Sequence, residues 1–139
     1  MVQRQKRKGM VLDTLREALE KSWGKETSVA PEKWSPENPA YGQCAVTALV
    51  VHDFFGGRLV KVTAAGPDET ASHYYNELPD GRVVDLTRVQ FPKGTTFSQP
   101  EYKERVQVEG RFPPPRVTYT TLGRYNKLRA RVEFELLKR

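Results

Sequence analysis

With 139 residues, 37% of them hydrophobic and 29% charged, the chain has the size of one ordinary domain and too much apolar content to be disordered. No apolar run approaches the roughly 18 to 20 residues a membrane helix needs, and a single cysteine excludes an internal disulfide and a cysteine-based zinc cage. The formal charge of +6 sits on the ends: Arg4, Lys6, Arg7 and Lys8 supply +4 and the stretch from Arg124 to Arg139 another +4, leaving −2 for residues 9–123.

The first nine residues, MVQRQKRKG, read as a basic tail. No signal-peptide hydrophobic region follows it, which makes the cytoplasm the expected compartment and a membrane partner unexpected. From Val11 to Trp23, Leu12, Leu15, Leu19 and Trp23 recur at spacings of three and four, with Arg16, Glu17, Glu20 and Lys21 between them. That is one face of an amphipathic helix, without a good N-terminal cap. Pro31, Pro36 and Pro39 then exclude a regular helix between Lys25 and Tyr41, and Asn38-Pro39 is a turn signal. Trp23 and Trp34 flank this loop and are expected to pin it to the core.

A second helix, CAVTALVVHDFF, opens at Cys44 and ends at Gly56-Gly57. Being apolar almost all round, it belongs in the centre of the domain. Arg58 to Thr63 reads as a strand and Gly66 to Thr70 as a polar turn. Ser72 to Leu78 and Arg82 to Thr87 form a hairpin about Pro79-Asp80-Gly81. Residues 92–116 hold Pro92, Pro100, Pro113, Pro114 and Pro115, with room for one short strand. Leu122, Tyr125, Leu128, Val132 and Leu136 then mark a basic C-terminal helix. The expected architecture is a single α+β domain over residues 10–139: a buried Cys-bearing helix on a small antiparallel sheet, with further helices at both ends.

A cysteine at a helix N-terminus meets the positive end of the macrodipole and unpaired backbone N–H groups, which favour thiolate and can also receive an oxyanion. Gly42 allows a close backbone approach just before it. A free cysteine in an apolar helix is equally a small buried hydrophobe, so position alone leaves both readings open. Only two histidines are present. His52 lies eight residues on in the same helix, about 12 Å along its axis, and cannot reach the sulfur. His73, on another element, is the candidate base.

Hairpin geometry supplies the third group. Pro79 suits the first corner of a type I turn and Gly81 the left-handed position after it. That three-residue loop sets Leu78 opposite Arg82 and Asp85 opposite Tyr75, on the same face as His73 and within diagonal reach of it. Tyr74, Leu78, Val84 and Leu86 occupy the other face as a packing surface. A two-residue loop would flip the parity and separate His73 from Asp85.

Tyr41-Gly42-Gln43-Cys44 resembles the active-site cysteine motif of transglutaminases, and His73-Tyr74-Tyr75-Asn76-Glu77 their histidine strand, with Tyr75 where they commonly carry tryptophan. Val84-Asp85-Leu86-Thr87 resembles the strand carrying their aspartate. The order Cys, His, Asp is that of the transglutaminase and papain-like superfamily. More closely, residues 22–91 resemble the small bacterial YunG-like family, whose signature is close to NPAxGQCAVTAL, SHYxN and LPDGxxVDLT. The resemblance implies a papain-like or transglutaminase-like domain with catalytic Cys44, His73 and Asp85. Gly42, Gln43, Trp34 and Tyr75 would surround the oxyanion and substrate. Gln43 is open to a purely structural reading and Trp34 to a core one.

The leading expectation is acyl transfer through a Cys44 thioester: hydrolysis of an amide, isopeptide or glutamine side-chain amide, or transfer to an amine. The substrate would be a peptide, a protein or a small amide. Rival readings are a non-catalytic binding module and a nucleic-acid-associated protein using its basic ends, though neither a basic stripe nor aromatic platforms are evident. One Cys, one His and one Asp make an uncommon ligand set, so no metal and no cofactor are expected.

Overall fold

The computed structural model describes residues 10–110 and 121–139; the basic tail and the triple proline read from the sequence lie outside them. Among the described residues, four helices and one antiparallel sheet form an α+β domain. Helix α1 (Leu12–Ser22) turns Leu15, Ala18 and Leu19 inward and has no side-chain N-cap. A 3-10 turn (Lys25–Thr27) follows, and then the proline-bearing loop. Helix α2 (Cys44–Phe55) has the boundaries its sequence sets. Leu49, Val50 and Val51 on it are wholly inaccessible, so every side of its middle turns packs against protein.

Strand β1 (Arg58–Ala65) is the centre of the sheet. It pairs along its whole length with β2 (Thr70–Glu77), with Val62 opposite His73. Its other edge is shared end to end by β4 (Thr96–Phe97) and β5 (Glu101–Lys103), two pieces where the sequence suggests one. Pro100, which has no N–H to give a ladder, stands between them. Ser98 bridges the break: its backbone N–H donates to Thr63 O at 3.0 Å and its hydroxyl accepts from Thr63 N at 2.8 Å.

The hairpin has the three-residue loop that its turn residues demand. Gly81 N donates to Leu78 O and Leu78 N to Arg82 O, each at 2.8 Å, with Gly81 at φ 90°. Asn76 pairs with Val84 and Glu77 with Val83, which is the expected register. Strand β3 (Val83–Val84), however, has only two residues where the sequence pattern runs on to Thr87. The chain leaves the sheet at Asp85 and enters a 3-10 turn (Arg88–Gln90). Two side-chain partners of the Asp85 carboxylate, His73 and Arg88, take the place of further ladder bonds.

Helix α4 (Thr121–Leu137) packs on α1 and α2 through Tyr125, Leu128 and Val132. At the C-terminal end of α2, Asp53 is buried within a polar cluster. It binds Arg105 of the short helix α3 (Arg105–Val108) at 2.8 Å, together with Arg129 and the Tyr125 hydroxyl of α4. His52 belongs to this end too, 2.7 Å from Arg105 Nη1.

One face of the sheet, with Leu59, Tyr74, Leu78 and Val84, packs on α2. The registration comes from Asn76, whose buried Nδ2 donates to Ala48 O in the middle of α2 at 2.9 Å. Asn76→Asp keeps the volume and replaces the donor with a carboxylate facing a carbonyl. It is expected to cost about 3 kcal/mol or more at pH 7, against about 1–2 kcal/mol for Asn76→Ala. Urea unfolding of the two variants checks that order.

Candidate functional site

Cys44 is half-exposed at the first position of α2, where the opening amides have no partner within the helix. Its sulfur lies 3.9 Å from the carbonyl oxygen of Ser72, directly before His73. The sulfur meets β2 at an open edge, because β3 pairs only with Asn76 and Glu77. His73 itself is fully buried. Its Nε2 stands 2.8 Å from Asp85 Oδ2. Nδ1, the nitrogen left over, is shielded from solvent and makes no conventional hydrogen bond among the described residues. Phe91 meets the ring edge-on at 4.8 Å, with Tyr75 and Phe97 at 6.0 and 6.1 Å.

Burial of the ring disfavours its charge, but hydrogen bonding to Asp85 and to Cys44, with Coulombic attraction from both, outweighs it. The His73 pKa is pushed up to about 9. The ring is therefore an imidazolium at neutral pH, held between a carboxylate and a sulfur. The same sulfur is felt by Tyr74, whose pKa rises through burial first and Cys44 second.

The loop before Cys44 is fixed by three ties. Val29 N donates to Gly42 O at 3.0 Å, Ser28 Oγ to Tyr41 O at 2.9 Å, and Gly42 N to Gln90 Oε1 at 3.1 Å. Gly42 has φ +73°, and a Cβ there would stand 2.2 Å from Ser28 Oγ. Glycine is required on both counts. Gln90 also donates through Nε2 to Thr87 O at 3.0 Å and accepts from Asn38 Nδ2 at 3.2 Å on its backbone oxygen. It thus joins the loop before Cys44 to the turn after Asp85. Nothing in the local pattern singles out Gln90, since its ties to Gly42 and Asn38 span about fifty residues.

The other expected site residues divide. Tyr75 lies beside His73. Gln43 does not face the cleft: it is fully buried, with Nε2 donating to Gly24 O at 2.9 Å and Oε1 accepting from Thr27 Oγ1 at 2.8 Å. Both ends of the amide are committed to the 3-10 turn, and its backbone N–H to Ala40 O. The side chain and backbone N–H of Gln43 are thus all engaged within the loop. Trp34 is half-buried and donates to Pro39 O at 2.9 Å within its own loop, whereas Trp23 enters the core and donates to Thr47 Oγ1. Arg88, which the sequence reading passed over, donates through Nε to Asp85 Oδ2 at 2.8 Å and lies over Phe97 at 3.9 Å. A cavity of about 230 Å³ opens beside this cluster, lined by Tyr41, Glu69, Ala71, Gln90 and Phe91 among others. Among the described residues no group of three or more His, Cys, Asp and Glu side chains could hold a metal ion, and no helix is long and apolar enough to cross a membrane.

Residues 11–136 match the YunG protein family, and the chain belongs to it. It is 41% identical over 73 residues to a Bacillus subtilis (strain 168) protein named uncharacterized protein YunG. That alignment covers 52% of this chain and 56% of the relative, so the match spans little more than half of the relative's length. No solved structure matches.

A raised histidine pKa stabilises the fold fully below about 6.5, the ordinary value, and that contribution is lost as pH rises through about 9. The His73 ring resonances are expected to titrate with a midpoint near 9. In Asp85→Asn the midpoint falls substantially, because burial then acts against the charge with less to oppose it. NMR titration of wild type and variant measures both.

Proposed function

We propose that this YunG-family chain is a cysteine-dependent acyl-transfer enzyme with a papain-like or transglutaminase-like catalytic arrangement, in which Cys44 is the nucleophile, His73 the proton carrier and Asp85 the orienting carboxylate. The observation that carries the reading is His73: one ring nitrogen is held by Asp85 at 2.8 Å, and Cys44 interacts with the same ring. The order of the three residues along the chain, the helix N-terminus under Cys44 and the sheet position of His73 support the same reading.

In this mechanism the Cys44 thiolate attacks the carbonyl carbon of an amide, and the carbonyl oxygen takes the negative charge near the opening amides of α2. Collapse breaks the C–N bond while His73 Nδ1 gives its proton to the departing amine, leaving a thioester and a neutral imidazole. An incoming water or amine then loses a proton to Nδ1 as it attacks the thioester. The second collapse breaks the C–S bond and expels the thiolate beside the imidazolium formed in that attack. Asp85 keeps Nε2 as the fixed nitrogen and stabilises the charged ring throughout. Arg88 shares the carboxylate from the solvent side and holds it in place.

The complete enclosure of His73 beneath Phe91, Tyr75 and Phe97 favours a second reading, a non-catalytic binding module built on the same arrangement. Acyl-enzyme formation separates the two. With p-nitrophenyl acetate and intact-mass detection, the enzyme reading predicts one acetyl group on Cys44 and none in Cys44→Ala. Acylation should be slower by about 10²–10⁴ in His73→Ala. It should be at least about tenfold slower in Asp85→Asn. Acylation that ignores His73, or no acylation of Cys44, favours the binding module.

A further inference from the structure

Arg124 stands on the first turns of α4, within electrostatic range of the Cys44 sulfur. Its Nη2 donates to Thr121 Oγ1 at 3.1 Å, but Nη1 is shielded from solvent and has no hydrogen-bond partner among the described residues. A guanidinium N–H kept from both water and an acceptor is costly, and an anion would remove the cost. The Cys44 sulfur interacts electrostatically with this cation, opposing the lowering that burial imposes on it.

Arg124 lines a cavity of about 350 Å³ together with Lys25, Lys127, Ser28 and Val29. Glu26 also lines it, with its carboxylate bound to Arg131 at 2.7 Å and attracted by Lys127. Three cations therefore share the space with one carboxylate that is already paired, and like charges at this range repel. The Ser28–Val29 wall is the segment bonded to Tyr41 O and Gly42 O, so the cavity adjoins the approach to Cys44.

We propose that the cavity bounded by Lys25, Arg124 and Lys127 is the subsite for a carboxylate carried by the acyl substrate that reacts at Cys44, so that the preferred substrates are amides of acidic molecules. This rests on the thioester reading above. On binding, the Arg124 side chain shifts to bring Nη1, shielded while the cavity is unliganded, onto the carboxylate, and the two lysines set the field that selects it. A neutral amide of the same length forgoes these contacts and leaves the guanidinium unpaired.

The test is protection of Cys44 from iodoacetamide by glutarate, with its neutral diamide, glutaramide, as the control. Wild type is expected to show saturable protection by glutarate, with glutaramide at least tenfold weaker. In Arg124→Gln the glutarate concentration for half-protection rises at least fivefold, and Arg124→Lys recovers part of the loss. Protection is normalised to each protein's own uninhibited rate, so a change in thiol reactivity cancels. Equal protection by the two reagents, or glutarate protection that is the same in Arg124→Gln, overturns the subsite. If the wild-type thiol does not react, the thioester reading falls. The anion site is then judged by the Arg124 side-chain Nε resonance, where a glutarate-induced shift retains it and the absence of a shift overturns it.

Discussion

Asn76 donates its side-chain amide from β2 to the carbonyl of Ala48 in the middle of α2, and the placement of everything near Cys44 follows from that one bond. Helix α2 is apolar on nearly every side, so hydrophobic burial alone would hold it in the core but would leave it free to slide and rotate. A single buried amide with one acceptor removes that freedom. Ala48 lies one turn beyond Cys44, and Asn76 lies three residues beyond His73 on the adjoining strand. The bond that registers helix on strand therefore also sets the sulfur against the imidazole. Both side chains stand on rigid elements, as a preorganised site requires.

A second set of ties holds the loops around that pair. Gln90 spans from Gly42, before the cysteine, to Thr87, after the aspartate, and so couples two segments remote in sequence. Gln43 does the same for the 3-10 turn at Lys25–Thr27 from the buried side. The electrostatics are layered over this frame. Asp85 Oδ2 is shared between His73 and Arg88, so one carboxylate oxygen orients the ring and anchors an arginine lying over Phe97. The charge on His73 survives complete burial because the carboxylate and the sulfur flank the ring.

Local chemistry was the legible part of this fold. The apolar run after Cys44 and the glycines at its end define α2 to the residue. Pro79 and Gly81 dictate the hairpin loop, and the loop dictates the parity that brings Asp85 to His73. Long-range side-chain bonds were not legible. Asp85 leaves the strand early because His73 and Arg88 replace its ladder partners, and no β-propensity scale contains that information. The division of the outer strand at Pro100 needed knowledge of which edge it joins. Gln43 faces inward because Gly24 and Thr27 offer partners there, and a residue beside a cysteine motif does not announce which way it turns. Arg124 reads in sequence as one more cation on the polar face of a basic helix; only the packing of α4 carries it towards Cys44.

The central claim is that Cys44 and His73 act as one coupled unit, and the pH dependence of Cys44 alkylation by iodoacetamide tests it most directly. The account predicts that replacing His73 by Ala lowers the alkylation rate at pH 6 at least about tenfold and changes the shape of the pH profile, because the sulfur loses its cationic partner. A thiol that is inert in wild type, or whose pH profile is the same with and without His73, would contradict the account.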